Sequence, residues 1–399
     1  MRTILATDAR LERTPDGRVW WDGSHLYQFW ERYLDVFDEV RVVARMRDVP
    51  RVAPHARTLD GPRVSFFGVP YFHGPVQFAK RYFAVRRAVR AAIAPDDVVL
   101  MRAPGTIPFM IADYMASCGR PFGMEVIGDP YDSLAPGSVR SIFRPIARRQ
   151  HVRKLRWHCA HVTGALYVTA RALQRRYPPG PNAYTDNASD VDVRDEAYSA
   201  APRPEKPADG PVRLVYVGGL DQLYKAPDIL IKAMAECVRD GLDLNLKLLG
   251  AGQYIPELQE LARGLGIGER VRFLGGVPAG PAVREQLDQS DVFVLPSRQE
   301  GVPRAMIEAM ARALPCIGST IAGIPEILPP EDMVPPNDVQ TLAARLREVC
   351  TDPKRRACMS ARNLQTARQY HASILQARRR KFYGYIRERT REWQRRQAR

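Results

Sequence analysis

The chain is 399 residues long, 45% hydrophobic and 26% charged, with a formal net charge of +16. That length holds two domains with cores of their own, and the composition excludes an intrinsically disordered chain. No apolar run reaches the length of a membrane span, the N-terminal MRTILATDAR lacks a secretory apolar segment, and the six cysteines show no C-x-x-C spacing. Membrane-spanning, disulfide-scaffold and zinc-cluster readings are therefore set aside in favour of a cytoplasmic protein. The charge calls for an anionic partner: nucleic acid, an anionic membrane face or a phosphorylated small molecule. No nucleic-acid motif accompanies it, so no nucleic-acid partner is expected.

Thr3 to Thr7 reads as a first strand, followed by a loop ending in Trp20-Trp21-Asp22-Gly23. Ser24 then suits the N-cap of an amphipathic helix running to about Phe37. Val40 to Ala44, Val64 to Phe67, Val98 to Met101 and Phe122 to Ile127 read as further strands. Helices lie between several of them, including Val76 to Ala94 and Pro108 to Cys118. Strands alternating with helices predict a doubly wound parallel sheet. Gly128-Asp129-Pro130-Tyr131-Asp132 follows a strand's carboxyl end, where active-site walls form. Ser138 to Trp157 is a basic helical stretch without an acid, and its Arg140, Arg144 and Arg148 share one face. It is either a solvated face or a contact for an anionic surface. His161 to Thr169 reads as a strand and Ala170 to Tyr177 as a helix stopped by Pro178-Pro179.

From Pro178 to Pro211 the composition turns to Pro, Ala, Asp and Glu without period, as at a domain boundary. The boundaries expected are a first domain over 1–185, a linker over 186–210, a second domain over 211–365 and a final helix and basic tail over 366–399. Asp190-Val191-Asp192 is a D-x-D tripeptide, but its place in the linker speaks against a metal site. Val212 to Val217 opens the second sheet and runs into Gly218-Gly219-Leu220 and Tyr224-Lys225. Glycine there lets a phosphate approach the backbone, and the lysine supplies a point charge. Leu244 to Leu249 ends in Gly250-Ala251-Gly252, and Val271 to Leu274 is the next strand.

Val292 to Leu295 is a short apolar run suited to a strand buried on both faces. A polar loop follows, then a helix from Pro303, with Met306, Ile307, Met310 and Leu314 at helical spacing, then a strand from Cys316 to Ser319. Glu300 lies in the loop and Glu308 in the helix, so both can border a crevice at the sheet's carboxyl edge. Between them the helix's first amides carry the positive end of its dipole. Alternatively both glutamates are solvated.

The stretch DVFVLPSRQEGVPRAMIEAMA, with Gly323 to Glu326 beyond it, resembles the donor-site signature of the retaining GT-B glycosyltransferases of family 4. The resemblance implies two facing Rossmann-like domains and a C-terminal helix, around Tyr370 to Tyr385, crossing back to the N-terminal domain. By it, Glu300 contacts donor-sugar hydroxyls and Glu308 holds the ribose. Lys225 matches a diphosphate-binding lysine, whereas Gly219 stands where that family has an arginine; Arg298 or Arg304 is expected to supply the missing cation. Gly218, Gly219, Gly250, Gly252, Leu274, Gly301, Val302 and Pro303 complete the implied donor site. Gly23 and Ser24 fall in the acceptor-side loop, where the glycine is either a phosphate contact or a turn residue. Asp129, where many members carry histidine, either orients an acceptor hydroxyl or caps the next turn.

The implied reaction is hexosyl transfer with retention from a nucleoside diphosphate sugar, UDP-hexose first, to a saccharide, lipid-linked or small-molecule hydroxyl. It implies no cofactor beyond that cosubstrate and no metal, with Glu300, Lys225, Arg304 and Asp129 as the catalytic candidates. Polysaccharide biosynthesis is the expected setting. The competing readings are a sugar-nucleotide epimerase of the same fold and a basic membrane- or nucleic-acid-binding protein on a silent fold. A peripheral place on the inner membrane face is expected from Arg368 to Arg399, where Phe382, Tyr383, Tyr385, Ile386 and Trp393 interleave with basic residues. Those aromatics serve equally to dock the helix on the first domain.

Overall fold

A computed structural model describes residues 1–21, 27–53, 56–134, 144–205 and 210–399. The chain divides into two compact units. The first comprises Met1–Tyr131, Pro145–Ala188 and Gln376–Arg399; the second comprises Asp132–Arg144 and Ser189–Leu375.

The first unit is built on strands β1 (Arg2–Arg13), β2 (Val19–Trp21), β3 (Glu39–Asp48), β4 (Arg57–Thr58), β5 (Val64–Pro70), β6 (Val98–Ala103), β7 (Gly123–Val126), β8 (Gly164–Tyr167) and β9 (Tyr184–Asn187). Among the described residues β5-β3-β1-β6-β7-β8-β9 pair in parallel, while β2 pairs antiparallel with the last residues of β1 and β4 antiparallel with β2. Helices α1 (Tyr27–Leu34), α2 (Gly74–Ala91), α3 (Thr106–Ser117), α4 (Pro130–Ser133), α5 (Arg144–His161) and α6 (Ala172–Arg176) connect them. The crossovers holding α2, α3 and α5 all run the same way along the sheet, so right-handedness puts these three helices on one face. Ile4, Val43, Val85, Val89, Val99, Ile111, Met124 and Leu155 form the core beneath them. The strands run longer than the expected apolar stretches because β1 and β3 continue, past a register shift, into the β2–β4 extension. β9 lies within the Pro-rich segment that reads as structureless; backbone pairing to β8 sets it in place without an apolar pattern of its own.

The last helix, Ala372–Gln397, supplies the first unit from Gln376 onward. Its Phe382, Tyr383 and Ile386 are fully buried. A Cβ on Gly123 would stand 2.9 Å from Ile386 and 3.0 Å from Phe382, so the helix rests directly on bare backbone of β7, and Gly164 of β8 is as close. The buried carboxylate of Glu125 accepts from Tyr383 Oη (2.6 Å), Tyr33 Oη (3.0 Å) and Arg102 Nη1 (2.5 Å), which joins α1, β6 and the last helix. The aromatics at Phe382, Tyr383 and Tyr385 therefore form a docking face, with Tyr385 stacked on Tyr184 at 5.1 Å. Of the two expected uses of these side chains, docking on the first unit is the one the structure shows for Phe382, Tyr383 and Ile386.

The second unit carries β10 (Val212–Val217), β11 (Leu244–Leu249), β12 (Val271–Gly275), β13 (Val292–Leu295), β14 (Cys316–Ser319) and β15 (Met333–Val334) in the order β12-β11-β10-β13-β14-β15. All neighbours are parallel. Its helices are α7 (Pro227–Arg239), α8 (Ile255–Gly264), α9 (Pro281–Asp288), α10 (Arg304–Ala311), α11 (Val339–Thr351), α12 (Pro353–Arg368) and the start of α13 (Ala372–Gln397). Strand order reverses between β10 and β13, the place where a doubly wound sheet opens a crevice at its carboxyl ends. The stretch from Ser189 to Glu205 is pinned here rather than loose. Arg203 fans its guanidinium onto the carbonyls of Leu287 (3.1 Å), Ser290 and Arg312, and Tyr198 Oη donates to Ala367 O at 3.0 Å.

Tyr383→Phe removes one donor to the buried Glu125 carboxylate while keeping the ring. A hydrogen bond to a charged group contributes about 1.5–3 kcal/mol, so the variant is expected to lose about that much in urea unfolding. An unchanged unfolding midpoint would show that the network carries no load.

Candidate active site

The carboxyl ends of four adjacent strands, β12, β11, β10 and β13, bring most of the singled-out residues together. Gly218 and Gly219 follow β10, Gly250 and Gly252 follow β11, Leu274 is the last residue but one of β12, and Glu300 to Pro303 follow β13. The glycine loops touch backbone to backbone. Leu220 N donates to Ala251 O at 2.8 Å and Gly250 N to Gly275 O at 2.8 Å. A Cβ on Gly250, whose φ is +155°, would fall 1.9 Å from Gly218 O, so only glycine closes this contact. A Cβ on Gly219 would meet nothing within 4 Å. The arginine missing there is thus not excluded by space.

Across the reversal point Lys225 Nζ donates to Glu300 Oε1 at 2.6 Å, with side-chain exposures of only 15% and 9%. Lys225 ends a single 3-10 turn, Leu223–Lys225, after which Ala226 takes a left-handed conformation (φ 54°) to start α7 at Pro227. Glu300 is held from its own loop as well: Ser297 Oγ donates to Oε1 at 3.0 Å. Ser297 O in turn accepts from Ser319 Oγ at 2.6 Å, which ties the loop to β14. Gly323 N donates to Gly301 O at 2.9 Å, and a Cβ on Gly323 would come within 2.6 Å of that oxygen. The Gly323 to Glu326 loop is therefore a brace for the Glu300–Gly301 turn. Ser297 and Ser319 escaped sequence reasoning because a serine that positions another side chain looks like any loop serine.

Arg298 requires a correction. Its guanidinium is locked onto Asp228 at 2.8 and 2.7 Å, with further bonds to Leu223 O (2.5 Å) and Asn337 Oδ1 (2.6 Å). It joins the β13 loop to α7 and has no fork left for a phosphate. Arg304, exposed at the start of α10, remains. Pro303 is the residue before the helix, in extended conformation, and not its first turn. Tyr216 lies fully buried under this loop with its hydroxyl unpartnered among the described residues.

Glu308 sits half-buried on α10, and its carboxylate accepts no hydrogen bond from any described residue. Burial raises its pKa above the ordinary glutamate value, against the opposing pull of Arg304 and Arg284. A desolvated, unpartnered carboxylate is costly by itself and suits a hydroxyl donor from outside the chain.

In the first unit, Asp129 is buried and spoken for. Its Oδ1 accepts from Tyr131 N at 2.8 Å and from Tyr177 Oη, and its Oδ2 pairs with Arg176. The geometry supports the capping role over that of orienting an acceptor hydroxyl. Gly23 and Ser24 lie outside the described residues. Asp192 of the D-x-D pairs with Arg194 at 3.2 Å, and among the described residues no three His, Cys, Asp or Glu side chains converge on a metal-binding group.

The sequence pattern named "Glycosyl transferases group 1" matches residues 211–352. This stretch is a glycosyl transferases group 1 domain. Protein CapJ of Staphylococcus aureus is 23% identical over 349 residues, covering 86% of this chain and 84% of that protein. Among solved structures, a sucrose-phosphate synthase from Thermosynechococcus elongatus superposes with a TM-score of 0.68 at 16% identity, over 96% of this chain and 98% of that one. Anabaena Alr3699/HepE in complex with UDP-glucose gives 0.65 at 16% identity, over 94% and 97%. The fold is GT-B, and both units are Rossmann-like parallel α/β sheets.

Because the pKa of Glu308 is raised on folding, its contribution to stability is fully present below the ordinary glutamate pKa and is lost as pH rises through the raised one. Glu308→Gln, which cannot ionise, should therefore melt above the wild type near pH ~8, with the gap closing towards pH ~4. A melting-temperature difference that does not change with pH would contradict a desolvated carboxylate.

Proposed function

We propose that the chain is a retaining hexosyltransferase using a nucleoside diphosphate sugar, UDP-hexose before others, with a hydroxyl of a saccharide, lipid-linked glycan or small molecule as acceptor. The observation that carries this is the Lys225–Glu300 pair at the reversal point of the second sheet, with the unpartnered Glu308 on the adjoining helix. A cation and two carboxylates in one crevice match a diphosphate flanked by sugar hydroxyls on one side and ribose hydroxyls on the other.

In this reading the donor takes over the partners that the pair now lends to itself. The diphosphate draws Lys225 Nζ, and the freed Glu300 accepts from hexose hydroxyls while Glu308 accepts from the ribose. Breaking the bond from the anomeric carbon to the phosphate oxygen leaves charge on the nucleoside diphosphate. Lys225, Arg304 and the amides after Gly301 stabilise it in place, so no metal is called for. The acceptor hydroxyl attacks from the face the phosphate leaves, and the departing phosphate oxygen takes its proton. Glu300, salt-bridged and beside the phosphate cation, is a positioning group rather than the nucleophile of a glycosidase. UDP-glucose heads the donors because the HepE structure of the same fold holds it.

The test is a thermal-shift panel of UDP-, GDP- and ADP-glucose, since a ligand that binds only the folded state raises the melting point. A shift with UDP-glucose is expected, followed by a transfer product whose anomeric proton keeps the donor's configuration by NMR, formed equally in EDTA. An inverted product, or activity lost to EDTA and restored by Mn²⁺, would overturn the mechanism. No shift with any sugar nucleotide together with salt-sensitive retention on DNA would favour the silent basic protein.

A further inference from the structure

Helix α2 leaves most of its surface uncovered. Only Val85 and Val89 are buried along it, while Phe83 is 79% exposed and Val76 68%. Bulky apolar side chains standing that far out on a water-facing helix mark a contact surface. Val76, Lys80, Phe83 and Arg87 recur at helical spacing, so the apolar and cationic groups share one outward stripe. A shallow recess lined by Phe83, Ala84, Arg87, Ala88 and Ala91 runs beside it.

The charge on this face is uncompensated. From Gly74 to Ala91 there are Lys80, Arg81, Arg86, Arg87 and Arg90 and no acid. Lys80, Arg86 and Arg87 form no ion pair with any described residue. On the same face of the sheet, α5 exposes Ile146 and Trp157 among further arginines. Across α2, α3 and α5 the acid is Asp113 alone, already bound to His158 (2.7 Å) and Lys154 (3.4 Å).

We propose that this face of α2 docks the protein on an anionic lipid bilayer. Val76 and Phe83 enter the headgroup boundary, and Lys80, Arg86 and Arg87 meet lipid phosphates. Nucleic acid would use the cations but give Val76 and Phe83 nothing to do. The C-terminal helix has charge, but its Leu375, Phe382, Tyr383 and Ile386 are buried and Ile374, at 40%, is less exposed than Val76 or Phe83. The proposal concerns where the protein works and goes beyond the reaction proposed above.

The experiment is sedimentation of the full chain with vesicles of phosphatidylcholine alone or mixed with phosphatidylglycerol. Retention on the anionic vesicles only, weakened by salt, is expected. Val76→Ser with Phe83→Ser, and separately Arg86→Gln with Arg87→Gln, should each cut it about tenfold; Arg395→Gln with Arg396→Gln should leave it near the wild-type level. Melting temperatures, with and without UDP-glucose, show whether each variant keeps its fold and donor response. A protein that responds to no donor yet pellets as described would leave this proposal standing. Failure to pellet with either vesicle, equal pelleting with both, indifference to the Val76 and Phe83 changes, or loss through the tail variant would overturn it. So would retention on a DNA duplex without vesicle binding.

Discussion

The second unit is organised around a constraint that only a parallel sheet imposes. With every strand pointing the same way, all loops that leave carboxyl ends share one edge, and the strand order reverses between β10 and β13. Lys225 comes from one side of that reversal and Glu300 from the other, and their 2.6 Å contact spans it. Burying two charges there is not a cheap way to gain stability. What sustains the pair is the surrounding scaffold: the Ser297 and Ser319 hydroxyls, the Gly323 brace, and the Arg298–Asp228 fork that fixes the same two loops from beneath. A polyanionic donor would find its cation and its hydroxyl acceptors already aimed.

The second sheet was readable because its strands are short, mostly apolar runs bounded by turn residues, unbroken in Val292–Leu295 and interrupted only by Arg213 in Val212–Val217 and by Asn245 and Lys247 in Leu244–Leu249. Val212–Val217, Leu244–Leu249, Val292–Leu295 and Cys316–Ser319 have the same ends in sequence and structure. Glu300, Glu308 and Lys225 stand out in the sequence as charged residues beside apolar runs and glycines, and the structure brings Lys225 and Glu300 into contact. Less was legible where a residue's role depends on a distant partner. Arg298 reads as a free cation until Asp228, 70 positions earlier, is brought to it. Asp129 reads as a wall of an active site until Arg176 and Tyr177 close on it from α6 and just beyond. β9 and β15 have too few apolar residues to announce themselves and exist through backbone pairing.

The first unit shows the same lesson for charge. Counting cations and aromatics along the C-terminal helix suggested an interfacial helix, but Glu125 draws Tyr383 inward, and bare glycines on β7 and β8 admit Phe382 and Ile386. Helix α2 has a similar alternation of apolar and basic residues, yet only Val85 and Val89 are fully buried beneath it, with Phe78 and Ala88 partly so. Periodicity says that a helix has an apolar side; which part of that side stays exposed is decided by the packing of the whole layer.

The central claim is that Lys225 serves the diphosphate and Glu300 the sugar, and calorimetry of UDP and UDP-glucose against single variants separates the two most directly. The account predicts that Lys225→Met weakens both ligands, whereas Glu300→Gln weakens UDP-glucose and leaves UDP as tight as before or tighter, its lysine being freed. Equal loss of both ligands on Glu300→Gln, or no loss of UDP on Lys225→Met, would contradict it.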